Sequence, residues 1–136
     1  MNSAVYKEII KHICIAQRYS DMAKENYDKR REYYAVKDRE IQTTLSLIKH
    51  NNINQIRFKE VTEFDQNGNL SRVIYFNIYY FGEILQVSFH NFKYVGKPTK
   101  GTKDIKWDEK IGGSRENCHR LNKRFHLNVF ESEVVL

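Results

Sequence analysis

From Asn2 to His50 the chain contains neither glycine nor proline. So long a run of helix formers without a backbone breaker commits more than a third of the 136 residues to helix. Apolar and small residues recur along it at alternating spacings of three and four: Ile9, Ile13, Ala16, Ser20, Ala23, Tyr27, then Tyr34, Ile41, Leu45 and Ile48. That is the seam of an amphipathic helix. Arg30 and Lys37 interrupt it, and eleven of the seventeen residues between Lys24 and Glu40 are charged, with Tyr27, Tyr33 and Tyr34 interleaved. Two arrangements satisfy this pattern. One is a single long helix, kinked or straight, whose middle stands in water; the other is a helical hairpin bending near Tyr27–Glu32. A hairpin usually takes a turn residue such as glycine, and none is present, so the sequence favours the single helix. Its seam also offers a homodimer, because polar residues at seam positions can set the register of paired helices.

After Asn51-Asn52-Ile53-Asn54 the period changes to two. Ile56–Phe64 alternates, Asn67-Gly68 supplies a hairpin turn, and Leu70–Phe81 is β-prone on both faces, as expected of a central strand. Gly82-Glu83 marks a second turn, and Ile84–Phe92 returns with Leu85, Val87 and Phe89 on one face. Lys93–Ile111 holds the only proline, Pro98, and reads as a long exposed loop pinned by Ile105 and Trp107. Gly112-Gly113-Ser114 then opens a short helix running to about His126, with Ser114 as its N-cap, and Leu127–Val135 reads as a closing strand. The expected class is α+β: a long N-terminal helix on a three- to four-stranded antiparallel sheet, with one short basic C-terminal helix. Residues 1–136 form a single domain, helical over 1–52 and sheet plus helix over 53–136.

The net charge of +6 is unevenly spread. Residues 93–126 carry ten Lys/Arg against four Asp/Glu, so this one stretch holds a charge equal to that of the whole chain. Within it, Ser114–His126 projected at 100° per residue places Cys118, Leu121 and Phe125 on a core-facing stripe and Arg120, Lys123 and Arg124 opposite. Arg115, His119, Asn122 and His126 fall on the flank between them. A polyanion site therefore maps to Lys97, Lys100, Lys103, Lys106 and Lys110 in the loop and to Ser114, Arg115, His119, Arg120, Lys123 and Arg124 on the helix. A solvated loop with solubilising lysines is the plain alternative. Tyr75 and Tyr79 share one face of the central strand and offer a stacking platform, although core packing explains them as well. The tyrosine-rich, acidic middle of the first helix, with Glu25, Asp28, Glu32, Tyr33, Tyr34, Asp38 and Glu40, is a candidate protein-contact surface.

Catalysis is not expected. Asn117 and His126 loosely echo a His–Asn–His nuclease, but on one helix they project about 180° apart. His119 and His126 share a face but stand roughly 10 Å apart, too far to ligate one metal. No nucleotide loop, nucleophile elbow or paired metal-binding carboxylates appear, so no cofactor or metal is expected. Cys14 and Cys118 are too few for a disulfide framework and read as buried thiols, which suits a reducing, cytoplasmic setting. The N-terminus does not read as a signal peptide, and no stretch reads as a membrane span. The functional expectation is a non-enzymatic basic module that binds nucleic acid or a nucleoprotein through residues 93–126. Two alternatives stand beside it. One is a phage or mobile-element accessory inhibitor that binds a nucleic-acid-binding host protein, such as a defence nuclease, and blocks its groove. The other is a structural homodimer built on the first helix.

Overall fold

The computed structural model describes residues 3–64, 67–91 and 113–130. Its order is α1 (Ser3–Glu25), a single 3-10 turn (Tyr27–Lys29), α2 (Arg30–Asn51), β1 (Ile56–Phe64), β2 (Leu70–Tyr80), β3 (Glu83–His90) and α3 (Ser114–Arg124). The α+β class is the expected one. The helical segment, however, takes the hairpin form and not the favoured single helix. Asn26 adopts an extended conformation (φ −131°, ψ 95°), and the 3-10 turn behind it reverses the chain. Asparagine is a weak helix former, and burial of the two arms' seams against each other favours the break there. A continuous helix over 3–51 would be about 70 Å long and would leave half of its seam in water. Folded back, α1 and α2 bury Ile9, Ile13, Ala16, Ile41, Leu45 and Ile48 within this chain's own core. Tyr19 meets Tyr33 edge-on at 5.9 Å in a second, smaller cluster towards the bend.

The sheet is a meander of order β1-β2-β3. Its register pairs Phe58 with Phe76 and Phe76 with Val87, so Ile56, Phe58, Ile74, Phe76, Ile78, Leu85, Val87 and Phe89 share the face that joins the helical core. Gly68 takes the positive φ (+80°) of the first turn. In the second turn the two central residues are Phe81 (φ +46°) and Gly82 (φ +77°), one position earlier than expected from Gly82-Glu83. Positive φ is ordinary for glycine and strained for phenylalanine.

Helix α3 runs alongside the free edge of β3. Ser88 N–H donates to Ser114 Oγ at 2.9 Å, Asn117 Nδ2 donates to Gln86 O at 3.0 Å, and Arg120 Nη2 meets Glu83 Oε2 at 3.0 Å. The helix thereby satisfies edge groups that would otherwise invite another strand. This placement corrects three expectations. Gly113 is the N-cap, because the Ser114 side chain is turned to β3. Asn122 is buried and accepts from Val129 N–H at 2.7 Å, so it is not on a solvent flank. Leu127–Phe130 forms a turn with no strand pairing, and the sheet has three strands among the described residues. The rest of the expected closing strand lies outside the described residues, as do Pro98, Ile105 and Trp107. Among the described residues no helix is long and apolar enough to cross a membrane.

Candidate functional site

Helix α3 divides the candidate residues between its two ends. At its N-terminal end, Ser114 and Arg115 border a cleft of about 900 Å³, closed on the other sides by the bend-side halves of α1 and α2 and by the end of β3. Arg115 is held by Asp21, whose carboxylate also accepts from Gln17 Nε2. Tyr34 and Asp38 line the same cleft, together with Lys24, Arg31, Lys37 and His90. Lys37 is only 3% exposed. Its ammonium donates to His90 O at 3.3 Å, lies 3.5 Å from Asp38 Oδ1 and sits over the Tyr34 ring. Burial pushes its pKa below the ordinary lysine value, against the pull of Asp38. In the sequence Lys37 reads as a flaw in a helical seam, and nothing there marks it as a cleft residue.

At the C-terminal end of α3 a second groove, about 520 Å³, lies between α3, the start of α1 and the β2–β3 turn. Arg124 spreads its guanidinium over the Phe81 ring, 4.5 Å from the centroid. Phe81 is 74% exposed and Tyr79 39% exposed, and both line the groove with Lys7. The floor is firm. Tyr6 donates its hydroxyl to Tyr79 O at 3.0 Å and packs edge-on to Phe125. Gln55 also lines the groove, and its buried Oε1 has no hydrogen-bond partner. Sequence reasoning found Tyr79 and Arg124 but missed Phe81, Lys7 and Gln55, because only the turn geometry brings them together.

The other candidates are dispersed. Arg120 is paired with Glu83, and Lys123 is exposed on the outer side of α3. His119 stacks on Phe130, with ring centroids 4.2 Å apart. Tyr75 is half-buried on the outer sheet face and donates its hydroxyl to Glu63 at 2.5 Å. Burial first, and that carboxylate second, push its pKa up to about 12. Tyr75 therefore does not join Tyr79 in an open platform. Tyr33 and Asp38 are buried and Glu40 is engaged by His12, so the expected protein-contact surface contracts. Its exposed part is the hairpin bend, with Glu25, Asp28 and Glu32. Lys97, Lys100, Lys103, Lys106 and Lys110 lie outside the described residues. Cys14 and Cys118 are free, buried and adjacent, with Cys14 Sγ donating to Cys118 O at 3.6 Å. Comparison of the chain with protein families, with curated proteins and with solved structures finds no match.

Proposed function

We propose that this protein is a non-catalytic binding module for single-stranded nucleic acid, which it engages through the groove at the C-terminal end of α3. The observation that carries this reading is the Arg124–Phe81 stack beside the exposed Tyr79 ring. Bases stack on exposed aromatic faces and on guanidinium planes, and cations placed beside them follow the phosphates. Lys7 in the groove and the exposed Lys123 beside Arg124 supply further positive charge, whereas Arg120 is offset by Glu83. The orphan Gln55 Oε1 offers an acceptor to an amino group on a base edge.

The test is fluorescence anisotropy of labelled single-stranded DNA and RNA at two salt concentrations. Each stacked base is worth about 1–3 kcal/mol, so Phe81→Ala is expected to weaken binding roughly 5- to 150-fold. The triple change Arg120→Ala, Lys123→Ala, Arg124→Ala is expected to lower the salt slope by about 0.7 for each phosphate no longer neutralised. Affinity that survives both sets of changes, or no binding at low salt, removes the proposal.

A second reading has one observation in its favour. Tyr27, at the hairpin bend, is 76% exposed, carries Arg30 4.5 Å above its ring and stands among Glu25, Asp28 and Glu32. An exposed tyrosine among charged residues of both signs suits a protein partner, such as a host nuclease, whose groove presents complementary charge. Loss of partner binding on Tyr27→Ala, with nucleic-acid affinity unchanged, would favour it.

A further inference from the structure

The cleft at the N-terminal end of α3 is unlike the aromatic groove. Four cations line it, Lys24, Arg31, Lys37 and Arg115, against two carboxylates, Asp21 and Asp38. Asp21 is occupied by Arg115 and Gln17, and Asp38 is the neighbour of Lys37. No ion pair joins Lys24 or Arg31 to an acid among the described residues. The cleft therefore carries an excess of two positive charges. It also contains a buried carboxylate: Asp38 is 8% exposed, and its Oδ1, 3.5 Å from the Lys37 ammonium, accepts no hydrogen bond. The first-turn N–H groups of α3, beginning at Ser114 on the cleft wall, have no acceptor within their helix, and no side chain caps them. A volume of about 900 Å³ is within the range of small-ligand sites.

We propose that this cleft binds a phosphate monoester carried on a hydroxylated body of nucleotide size. The phosphate carries close to two negative charges at neutral pH and matches the charge excess. Lys37 supplies the fixed cation at depth, Lys24 and Arg31 close on the phosphate from the rim, and Arg115 is aligned by Asp21. A ligand hydroxyl donates to Asp38 Oδ1, beside the Lys37 ammonium. A carboxylate ligand would leave one positive charge unmatched, and a neutral sugar would leave both. The proposal concerns a different cavity from the aromatic groove and does not rest on the single-strand reading.

Isothermal titration calorimetry on the full chain at low salt tests it, with adenosine 5′-monophosphate, adenosine and inorganic phosphate as probes. The monophosphate is expected to saturate one site, and each of the other two to bind at least about tenfold more weakly. Lys37→Met is expected to abolish the heat. Because that change also disturbs a buried ion pair, the exposed double variant Lys24→Ala, Arg31→Ala serves beside it. This variant is expected to melt like wild type and to bind the monophosphate about tenfold or more weakly. Phe81→Ala should leave the titration unchanged. Absence of heat with the monophosphate, equal affinity for adenosine, equal affinity for inorganic phosphate, or wild-type affinity in the double variant each overturns the proposal. Displacement of the monophosphate by a 5′-phosphorylated oligonucleotide, measured in Phe81→Ala protein, supports it with a strand end as the source. Saturation by the monophosphate without such displacement supports it with a free nucleotide as the source.

Discussion

Asp21 and Arg115 stand 94 positions apart in the chain and meet side by side, Nε and Nη2 of the arginine both donating to Oδ1 of the aspartate at 3.2 and 2.9 Å. The pair is asymmetric: the carboxylate is buried, whereas more than half of the arginine side chain is exposed. Removing the arginine strands a buried charge, while removing the carboxylate frees a guanidinium that water can solvate. Arg115→Ala is therefore expected to cost about 2–3 kcal/mol and Asp21→Asn about 1 kcal/mol. Urea denaturation of the two variants checks the order, and the reverse order would show that the pair does not pin α3 to α1.

His12 joins the two arms of the helical hairpin. Its ring nitrogens face Glu40 on α2 and Glu8 on α1, and the hydrogen bond to Glu40, with the charges of both carboxylates, raises its pKa above the ordinary value despite burial. A raised folded-state pKa contributes stability that is complete below the unfolded value, about 6.5, and is lost as pH rises through the folded value. Wild type is thus expected to lose stability on going from roughly pH 6 to pH 8.5 relative to His12→Gln. Denaturation curves for both proteins at the two pH values provide the comparison. Parallel changes would remove His12 as the cause.

The Cys118 thiol is fully buried against Cys14, and burial pushes its pKa well up. Both properties suppress the thiolate that reacts with alkylating agents. Native protein is expected to resist iodoacetamide at Cys118 and to react on unfolding. Rapid labelling of Cys118 in folded protein, located by mass spectrometry, would contradict the packing of α3 on α1.

Phe81 holds a positive φ that its side chain disfavours, in a turn that glycine or asparagine would form more readily. Phe81→Gly is expected to leave stability unchanged or raise it by up to about 1 kcal/mol, while removing the stacking surface. A clear fall in melting temperature would mean that the exposed ring supports the fold.

The strands were legible because their alternation and turn residues act locally: β1 has the bounds the pattern gave, and Leu85, Val87 and Phe89 point to the core as expected. The hairpin bend was not, since a single extended Asn26 needs no glycine and its benefit comes from burying the seam elsewhere. Site residues followed the same division. The helical projection correctly separated Cys118 and Leu121 from Lys123 and Arg124. It could not show that Ser114 and Asn117 serve the edge of β3, because that depends on how a helix and a strand distant in sequence are aligned. Lys37 and Phe81 were hidden for a similar reason. One looked like an interruption in a seam and the other like the end of a strand.

Sheet neighbours β1, β2 and β3, and the arms α1 and α2, are consecutive in sequence. The meander packs on the helical hairpin across 73 positions, Tyr6 to Tyr79, and helix α3 is carried farthest, bringing Cys118 to Cys14 across 104 positions. Local contacts form quickly and long loops close at an entropic cost, so the helical hairpin and the meander are expected to assemble first and α3 to dock last. Until it docks, the outward N–H of Ser88 and C=O of Gln86 lack the partners that Ser114 and Asn117 provide, and the β3 edge can pair with another chain. Slow docking would therefore lead to edge-to-edge aggregation during folding. Both cavities use α3-end residues as walls, so a chain arrested before that step would be sticky at its edge and would lack them both.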